Sequence, residues 1–401
     1  MSGKPNVMPS VFGAGNLPGA ITGSATPTTP EVPLPVMPFV WPLMFAQSLG
    51  SATTSALYRY SEMWANALQA GPSQPPLSWT TPNDIRLELP TMQLRDFHGP
   101  QTGQPVLLCA PYSLHGAIIT DFAAGHSVVE VLRQSGTARV FVTDWRSATP
   151  SMRDYSIDIY LADLNVAVDD VGSPVDLVGL CQGGWLAVLF AARFPQKVRR
   201  LVLVGAPIDI RAGPSRLTEI ADSLPVSVFE SVVRCGDGRV LGKHASSLWG
   251  HVPAESEIGN ALQEEPAIDE DHRLIALKRR FDEWHARPLD LPGHYYMQVI
   301  QDIFKDNQIA EERFMALGRR ADLGNIRCPI FLLAASEDEI VHPEQLLSVI
   351  HLVGTPGRHI RKKVEHCRHL SLFLGARTIA GAWGDIAAWL GNGLEPVARC
   401  E

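Results

Sequence analysis

Cysteine is scarce in this chain and is never clustered. Six cysteines are spread over 401 residues, without a C-x-x-C pair and without a Cys/His group at zinc-site spacing. We therefore expect neither a disulfide framework nor a metal site, and isolated thiols fit a reducing, cytoplasmic compartment. The six are Cys109, Cys181, Cys235, Cys328, Cys367 and Cys400.

Two further absences narrow the classes of function. The chain lacks an excess of basic residues, since its net charge is −8 and its pI is near 5.9, so nucleic acid is not an expected partner. It has no run of about 18 uninterrupted apolar residues, and its first residues, "MSGKPNVMPS", lack the basic-then-apolar pattern of a signal peptide. Secretion and membrane insertion are both disfavoured.

The amino-terminal part divides into two regions. Residues 1–36 are rich in Pro, Gly, Ser and Thr without an apolar period, which predicts a disordered tail. Residues 37–79 are predicted as an apolar amphipathic helical segment followed by a linker. This segment either packs on the main domain or lies on a lipid or polymer surface.

Beyond residue 80, short apolar runs alternate with amphipathic stretches. This pattern predicts an α/β fold with a doubly wound, mostly parallel sheet, because fully apolar strands are buried on both faces. The core is predicted over 80–207 and 320–401, and the charged stretch between them, 208–319, is predicted as an inserted helical lid. The predicted strands are 87–97, 105–111, 138–145, 175–180, 198–207, 329–338 and 359–366, and the predicted helices are 126–136, 157–172, 185–195 and one near 377–391.

The stretch "LVGLCQGGW" places Cys181 between a predicted strand and a predicted helix. In this context G-x-C-x-G indicates a nucleophile elbow, in which glycines permit a very tight turn. The helix amino terminus favours a thiolate, and the Gln182 N–H is placed to stabilise an oxyanion. The alternative is a buried structural cysteine.

A thiol nucleophile needs a base and an acid that orients the base. In a nucleophile, acid, histidine order, Asp338 follows a predicted strand in "SEDEIVHP", with Glu337 and Glu339 as alternatives. Two histidines follow the last strand in "VEHCRHLSLF". His369 is favoured over His366 because its loop has suitable reach and an apolar helix begins after it.

Further residues are candidates for the oxyanion hole and the pocket. The loop "YSLHG" offers the N–H of Tyr112 or Ser113 as a second oxyanion donor. His115 either lines the pocket or caps the loop. Trp145 and Trp185 are further pocket candidates.

Cys181, Asp338 and His369 lead to a family. Over about residues 85–395 the chain resembles the α/β-hydrolase group of polyhydroxyalkanoate synthases and intracellular polyhydroxyalkanoate depolymerases, which use cysteine where esterases use serine. "GLCQGG" and "LGRRADLGNIRCPI" are similar to the synthases, whereas "VFVTDW", "RFDEWHARPLDLPGHYYMQVIQDIF" and "HLSLFLGAR" are similar to the depolymerases. The Asn-(Lys/Arg)-x-Tyr loop associated with synthases is replaced by "PYSLHGA", which counts against a synthase. Arg368 stands where the group commonly has Gly before the histidine.

The resemblance implies an α/β-hydrolase fold and a Cys-His-Asp enzyme that needs no cofactor. The first hypothesis is an intracellular depolymerase that hydrolyses or thiolyses polyester bonds through an acyl-cysteine. The alternative is a synthase, for which a hydroxyacyl-coenzyme A thioester is the substrate, and a hypothesis of another class is a non-catalytic granule-binding protein. Expected partners are a polyester granule surface or hydroxyacyl oligomers, in the cytoplasm or on granules, and a homodimer is left open.

Overall fold

The computed structural model describes residues 77–99, 103–135, 138–248 and 270–391. The predicted tail, most of the segment 37–79 and Cys400 lie outside the described residues. None of the described helices combines the length and apolarity that a bilayer span requires.

An eight-stranded sheet forms the centre of the described chain. In sheet order its strands run β1-β2-β4-β3-β5-β6-β7-β8. The short β2 pairs antiparallel with both β1 and β4, and the remaining neighbours are parallel. The strands are β1 Asp84–Glu88, β2 Met92–Asp96, β3 Gln104–Cys109, β4 Ala138–Trp145, β5 Val175–Leu180, β6 Val198–Val204, β7 Ile330–Ala335 and β8 Ile360–Glu365. The predicted mostly parallel, doubly wound sheet is confirmed.

One predicted strand was wrong in its extent. The run 87–97 was expected to be a single strand, but β1 ends at Glu88 and β2 begins at Met92. Pro90 lies between them and has no N–H to donate to a sheet ladder. The chain reverses there, and the Leu89 N–H donates to the Met92 carbonyl at 2.9 Å.

Helices cover the sheet and also occur, with a few short strands, in the described part of the insertion between β6 and β7. Helix α1 begins after Ser127, whose hydroxyl accepts the Glu130 N–H and so caps the helix. The helices before the insertion are α1 Val128–Gln134, α2 Ile157–Val171 and α3 Gln182–Arg193. The insertion contains α4 Arg216–Ser223, α5 Val226–Cys235, α6 Gly242–Leu248, α7 Glu270–His285 and α8 Gly293–Gln298, which continues as the π-helix Val299–Lys305. After β7 come α9 Pro343–Leu347, α10 Ser371–Leu374, α11 Ala376–Thr378, the π-helix Ile379–Trp383 and α12 Gly384–Gly391.

The core lies between the sheet and these helices. All six residues of β5 and all six of β7 are buried, as expected for strands covered on both faces. Because β3, β5, β6 and β7 are parallel neighbours, the loops after their carboxyl ends meet on one edge of the sheet. Cys181 directly follows β5, and Asp338, the predicted acid, lies three residues after β7.

Candidate active site

Cys181 occupies the turn that joins β5 to α3. Its φ of 48° lies in the left-handed region that non-glycine residues rarely adopt. The turn is held from both sides, because the Cys181 N–H donates to the Val204 carbonyl at 2.9 Å and its carbonyl accepts the Gly184 N–H at 2.8 Å. Strained backbone of this kind is concentrated at functional sites, and here it presents the thiol beyond the end of the sheet.

Two glycines allow the helix to lie this close to the strands. A Cβ on Gly183 would lie 2.1 Å from the Cys109 carbonyl oxygen, and one on Gly184 would lie 2.2 Å from the Ala206 Cβ. Neither approach is tolerable for a larger residue, so alanine at either position would displace α3. The "GG" after Cys181 is therefore required by packing at the elbow.

His369 and Asp338 form a buried pair, of which His369 lines the same cavity as Cys181. The Nδ1–H of His369 donates to Asp338 Oδ2 at 2.7 Å, and only 5% and 1% of the two side chains are exposed. The other carboxylate oxygen, Oδ1, accepts the N–H groups of Ile340 and Val341 at 2.9 and 2.8 Å. With Nδ1 occupied by Asp338, Nε2 is the nitrogen left to face the thiol.

Charge balance at His369 favours the imidazolium. Burial lowers the pKa of His369, but the negative charges of Asp338 and Cys181 and the hydrogen bonds to both raise the pKa well above its ordinary value. A protonated ring beside a sulfur is the arrangement that stabilises a thiolate. The structure thus brings together the three residues predicted as catalytic, while their roles in a reaction stay predictions.

The alternative histidine and carboxylates lie outside this pair. The side chain of His366 is 84% exposed, and its Nε2 lies 3.4 Å from Glu337 Oε1, so these two residues form a separate pair on the surface. Glu339 is exposed and lines the cavity. Among the candidate acids and histidines, Asp338 and His369 form the buried contact, whereas Glu337 and His366 form the exposed one.

A largely apolar cavity of about 160 Å³ opens onto Cys181 and His369. One wall comes from loops at the edge of the sheet, and the other comes from the insertion, which therefore covers the thiol. The wall on the sheet side includes Pro111, Ser113, Leu114, His115, Ile119, Gln182, Ile340, Leu370 and Phe373, and the wall on the insertion side includes Arg216, Leu217, Trp284, Leu291, Tyr295, Tyr296, Val299, Ile300 and Phe304.

A family model described as the alpha/beta hydrolase fold matches residues 122–376, which include the elbow, the insertion and the histidine loop. The chain belongs to the α/β-hydrolase family. A strand-turn-helix nucleophile at the carboxyl edge of the sheet is the arrangement that this fold uses.

Several curated proteins are similar to this α/β hydrolase and are named poly(3-hydroxyalkanoate) polymerase subunit PhaC. The subunit from Haloferax mediterranei is 24% identical over 77% of this chain and 63% of its own length. Those from Allochromatium vinosum and Synechocystis are 23% and 25% identical over 64% and 61% of this chain and 73% and 67% of theirs. The chain thus spans less than two thirds of the Haloferax relative. Together with the family match, these similarities support an enzyme.

The predicted oxyanion donors divide into two groups. Gln182 and Ser113 line the cavity, whereas Tyr112 is buried behind it. The Tyr112 ring stacks on Tyr160 at 4.8 Å, and its hydroxyl donates to the Arg146 carbonyl at 3.1 Å. These are side-chain positions, so whether the N–H of Ser113 or that of Tyr112 joins the N–H of Gln182 stays a prediction.

Trp145 and Trp185 were wrong as pocket residues. Trp145 is 3% exposed and donates its Nε1–H to the Ala110 carbonyl at 2.8 Å, and Trp185 is fully buried in α3. The Trp145 ring contacts the Tyr160 ring at 5.5 Å and the Trp185 ring contacts the Tyr295 ring at 6.2 Å, so both pack in the aromatic core. The Trp145 hydrogen bond fixes the loop that precedes Ser113, so its contribution is to positioning.

His115 lines the cavity, as the first of its two interpretations predicted. Burial, and after it the neighbouring His285, lowers the pKa of His115 to about 3. The ring is therefore neutral, and its Nε2 lies 3.1 Å from the His285 carbonyl. His115 contacts the insertion and joins the oxyanion loop to α7.

Three of the other four described cysteines have raised pKa values. Burial raises the pKa of both Cys109 and Cys328 to about 12 and also raises the pKa of Cys235. These thiols are protonated at neutral pH and are therefore weak nucleophiles.

Removing the thiol should lower the pKa of His369. In the Cys181→Ala variant the sulfur's negative charge and hydrogen bond are lost, while burial still lowers this pKa and Asp338 still raises it. The expected shift is downward from the wild-type value and should appear in the NMR titration of the His369 ring. An unchanged or higher pKa in Cys181→Ala would show that the thiol does not interact with this ring.

Proposed function

We propose that the protein is a thiol-dependent acyltransferase that acts on 3-hydroxyacyl esters and thioesters, with polyhydroxyalkanoate polymerisation as its reaction. The observation that carries this proposal is Cys181, held at a strained elbow beside the buried His369–Asp338 pair. The named polymerase relatives support the synthase alternative better than the depolymerase that the sequence favoured.

In the first half-reaction the Cys181 thiolate attacks the carbonyl carbon of a hydroxyacyl thioester. The carbonyl oxygen becomes an oxyanion, and we assign its stabilisation to the N–H of Gln182 and to that of Ser113 or Tyr112. As the tetrahedral intermediate collapses, His369 donates its Nε2 proton to the leaving thiol of coenzyme A. The product is an acyl-Cys181 thioester, and Asp338 holds the neutral imidazole in the tautomer needed for the next step.

The second half-reaction depends on which nucleophile reaches the acyl-cysteine. A hydroxyl group from another hydroxyacyl unit gives His369 its proton and forms an ester, which lengthens the chain. Water gives a free acid instead, and the overall reaction is depolymerisation when the acyl group on Cys181 came from a polymer ester rather than from a thioester. The apolar cavity and its cover from the insertion support the first outcome because they limit access of water.

A depolymerase remains the second hypothesis because of the loop at 111–117. This loop has "PYSLHGA" in place of the Asn-(Lys/Arg)-x-Tyr pattern associated with synthases, and its Ser113 and His115 line the cavity. The third hypothesis, a non-catalytic binder of polyester granules, leaves the buried His369–Asp338 pair without a purpose. Granules or hydroxyacyl oligomers are the partners that all three hypotheses share.

Two incubations of the purified protein distinguish these functions. With 3-hydroxybutyryl-coenzyme A, a polymerase should release coenzyme A in step with polymer growth. With amorphous polymer, a depolymerase should release acid without coenzyme A. The Cys181→Ala variant is the matched control in both. Acid release alone would overturn the polymerase proposal, and no product in either incubation would support the binder.

A further inference from the structure

The cavity that contains Cys181 also contains a cation. Arg216 lines its insertion side, as the first residue of α4, and is half-buried. The neighbouring cavity residues from the insertion are apolar or aromatic, among them Leu217, Tyr296 and Phe304. A guanidinium in such a wall is costly to desolvate unless an anion joins it.

No carboxylate in residues 77–99, 103–135, 138–248 and 270–391 pairs with Arg216. The Arg216 backbone N–H donates to the Glu339 carbonyl at 2.9 Å, but the exposed Glu339 side chain forms no ion pair with it. Nearby arginines differ: Arg211 binds Asp222 at 2.6 Å, and Arg239 lies 3.4 Å from Asp290. Arg216 therefore has its donors available for a ligand.

Arg216 is not placed to stabilise its own helix. The amino terminus of α4 is already capped by Ser215 and Thr218, which exchange side-chain and backbone hydrogen bonds. A cation in the first turn also interacts unfavourably with the positive end of the helix dipole. The helix would be more stable with an acidic or neutral residue at this position, so a role in binding explains the arginine better.

The size of the cavity favours a small carboxylate over the phosphates of coenzyme A as the anion that Arg216 binds. A volume of about 160 Å³ is close to that of an engineered cavity that holds benzene, which is about the size of a four-carbon hydroxy acid. Coenzyme A carries its phosphates beyond a long pantetheine arm, so a thioester whose acyl group lies at Cys181 would hold those phosphates outside this volume. A carboxylate also matches the paired N–H donors of a guanidinium.

We propose that Arg216 binds the carboxylate of the alcohol substrate, so that the group exchanged with the acyl-cysteine is a hydroxy acid with a free carboxyl end. This inference rests on the proposed function. The hydroxyl oxygen of the acid attacks the acyl-Cys181 carbonyl, the ester C–O bond forms, and the C–S bond breaks. The hydroxyl proton passes to His369, and Cys181 leaves as the thiolate, so the ring and sulfur return to their starting charges. In the reverse direction the enzyme removes hydroxy acid units from the carboxyl end of an oligomer.

The test compares two esters that differ only in the charge of that end. One is the 3-hydroxybutyrate dimer with a free carboxylate, and the other is its methyl ester. The wild type should prefer the free dimer in kcat/KM by about 10- to 100-fold, the range of a charge-assisted hydrogen bond. Arg216→Gln should lose this preference through KM, and Arg216→Lys should keep part of it. Arg211→Gln, which removes a nearby cation outside the cavity, should keep all of it.

The possible results separate the failures. Equal ratios for the wild type and Arg216→Gln would overturn the role of Arg216. A second pair of substrates, 3-hydroxybutyryl-coenzyme A and its uncharged N-acetylcysteamine analogue, tests whether Arg216 binds phosphate instead. If the preference for the charged substrate depends on Arg216 in this second pair and not in the dimer pair, the carboxylate assignment is overturned. If the wild type forms no acyl-Cys181 even with p-nitrophenyl butyrate, the proposed function fails. If it is acylated by that ester but ignores the charge of the dimer, only the inference about Arg216 fails.

Discussion

Replacing Cys181 with alanine should abolish acyl transfer, with a loss on the order of 10⁴-fold or more, because the proposed acyl-enzyme forms on its thiol. Cys181→Ser should leave at most a weak activity. A serine hydroxyl has a much higher pKa than a thiol, and the charges around His369 suit a thiolate–imidazolium pair. Initial rates with 3-hydroxybutyryl-coenzyme A measure both variants.

A matched control and a direct assay accompany this prediction. Cys235→Ala removes an exposed thiol at the end of α5 and should retain wild-type rates. Mass spectrometry of the wild type stalled with substrate should place the acyl group on Cys181. An acyl group on Cys109, Cys328 or another cysteine would overturn the assignment of the nucleophile.

The second large effect is expected from Asp338→Asn, which should slow the reaction by about 10⁴-fold, as in serine triads. An amide can donate to the His369 Nδ1 atom, which would then favour the tautomer with its proton on Nε2 and so prevent that atom from accepting a proton. The fold should persist, because the amide oxygen can still accept the Ile340 and Val341 N–H groups. Thermal melting and kcat together separate lost chemistry from lost structure.

The surface pair Glu337–His366 is a matched control for the buried pair. It also joins a carboxylate to a histidine, at 3.4 Å, but the His366 side chain is 84% exposed. Glu337→Gln and His366→Gln should therefore change kcat less than about twofold, since exposed ion pairs contribute little. A loss in His366→Gln comparable to that in Asp338→Asn would reassign the base to His366.

The elements on which the site depends could be predicted from the sequence because their signals are local. The strands 138–145 and 175–180 matched the structure residue for residue, since unbroken apolar runs between turns define buried strands. The elbow was recognisable because glycine spacing around Cys181 reflects a steric requirement of the turn itself. The split of 87–97 into two strands also had a local signal, Pro90, which the alternation of apolar residues obscured.

The distribution of residues around the thiol was decided by tertiary structure. The sequence favoured His369 over His366 only by loop reach and the apolar helix that follows, and the tertiary packing then buried His369 and left His366 exposed. Trp145 and Trp185 have the aromatic character of pocket residues, yet the side of β4 or α3 from which each projects placed them in the core.

What the sequence determined by itself was therefore the buried strands and the elbow, because their signals lie within a few residues. It also gave the order of the three chemical groups along the chain. What the tertiary structure decided was which insertion residues cover the thiol, including Arg216. A charged helical stretch such as 208–319 has several amphipathic faces, and the face that turns inward depends on contacts between residues far apart in the chain, as where the Arg216 N–H donates to the Glu339 carbonyl.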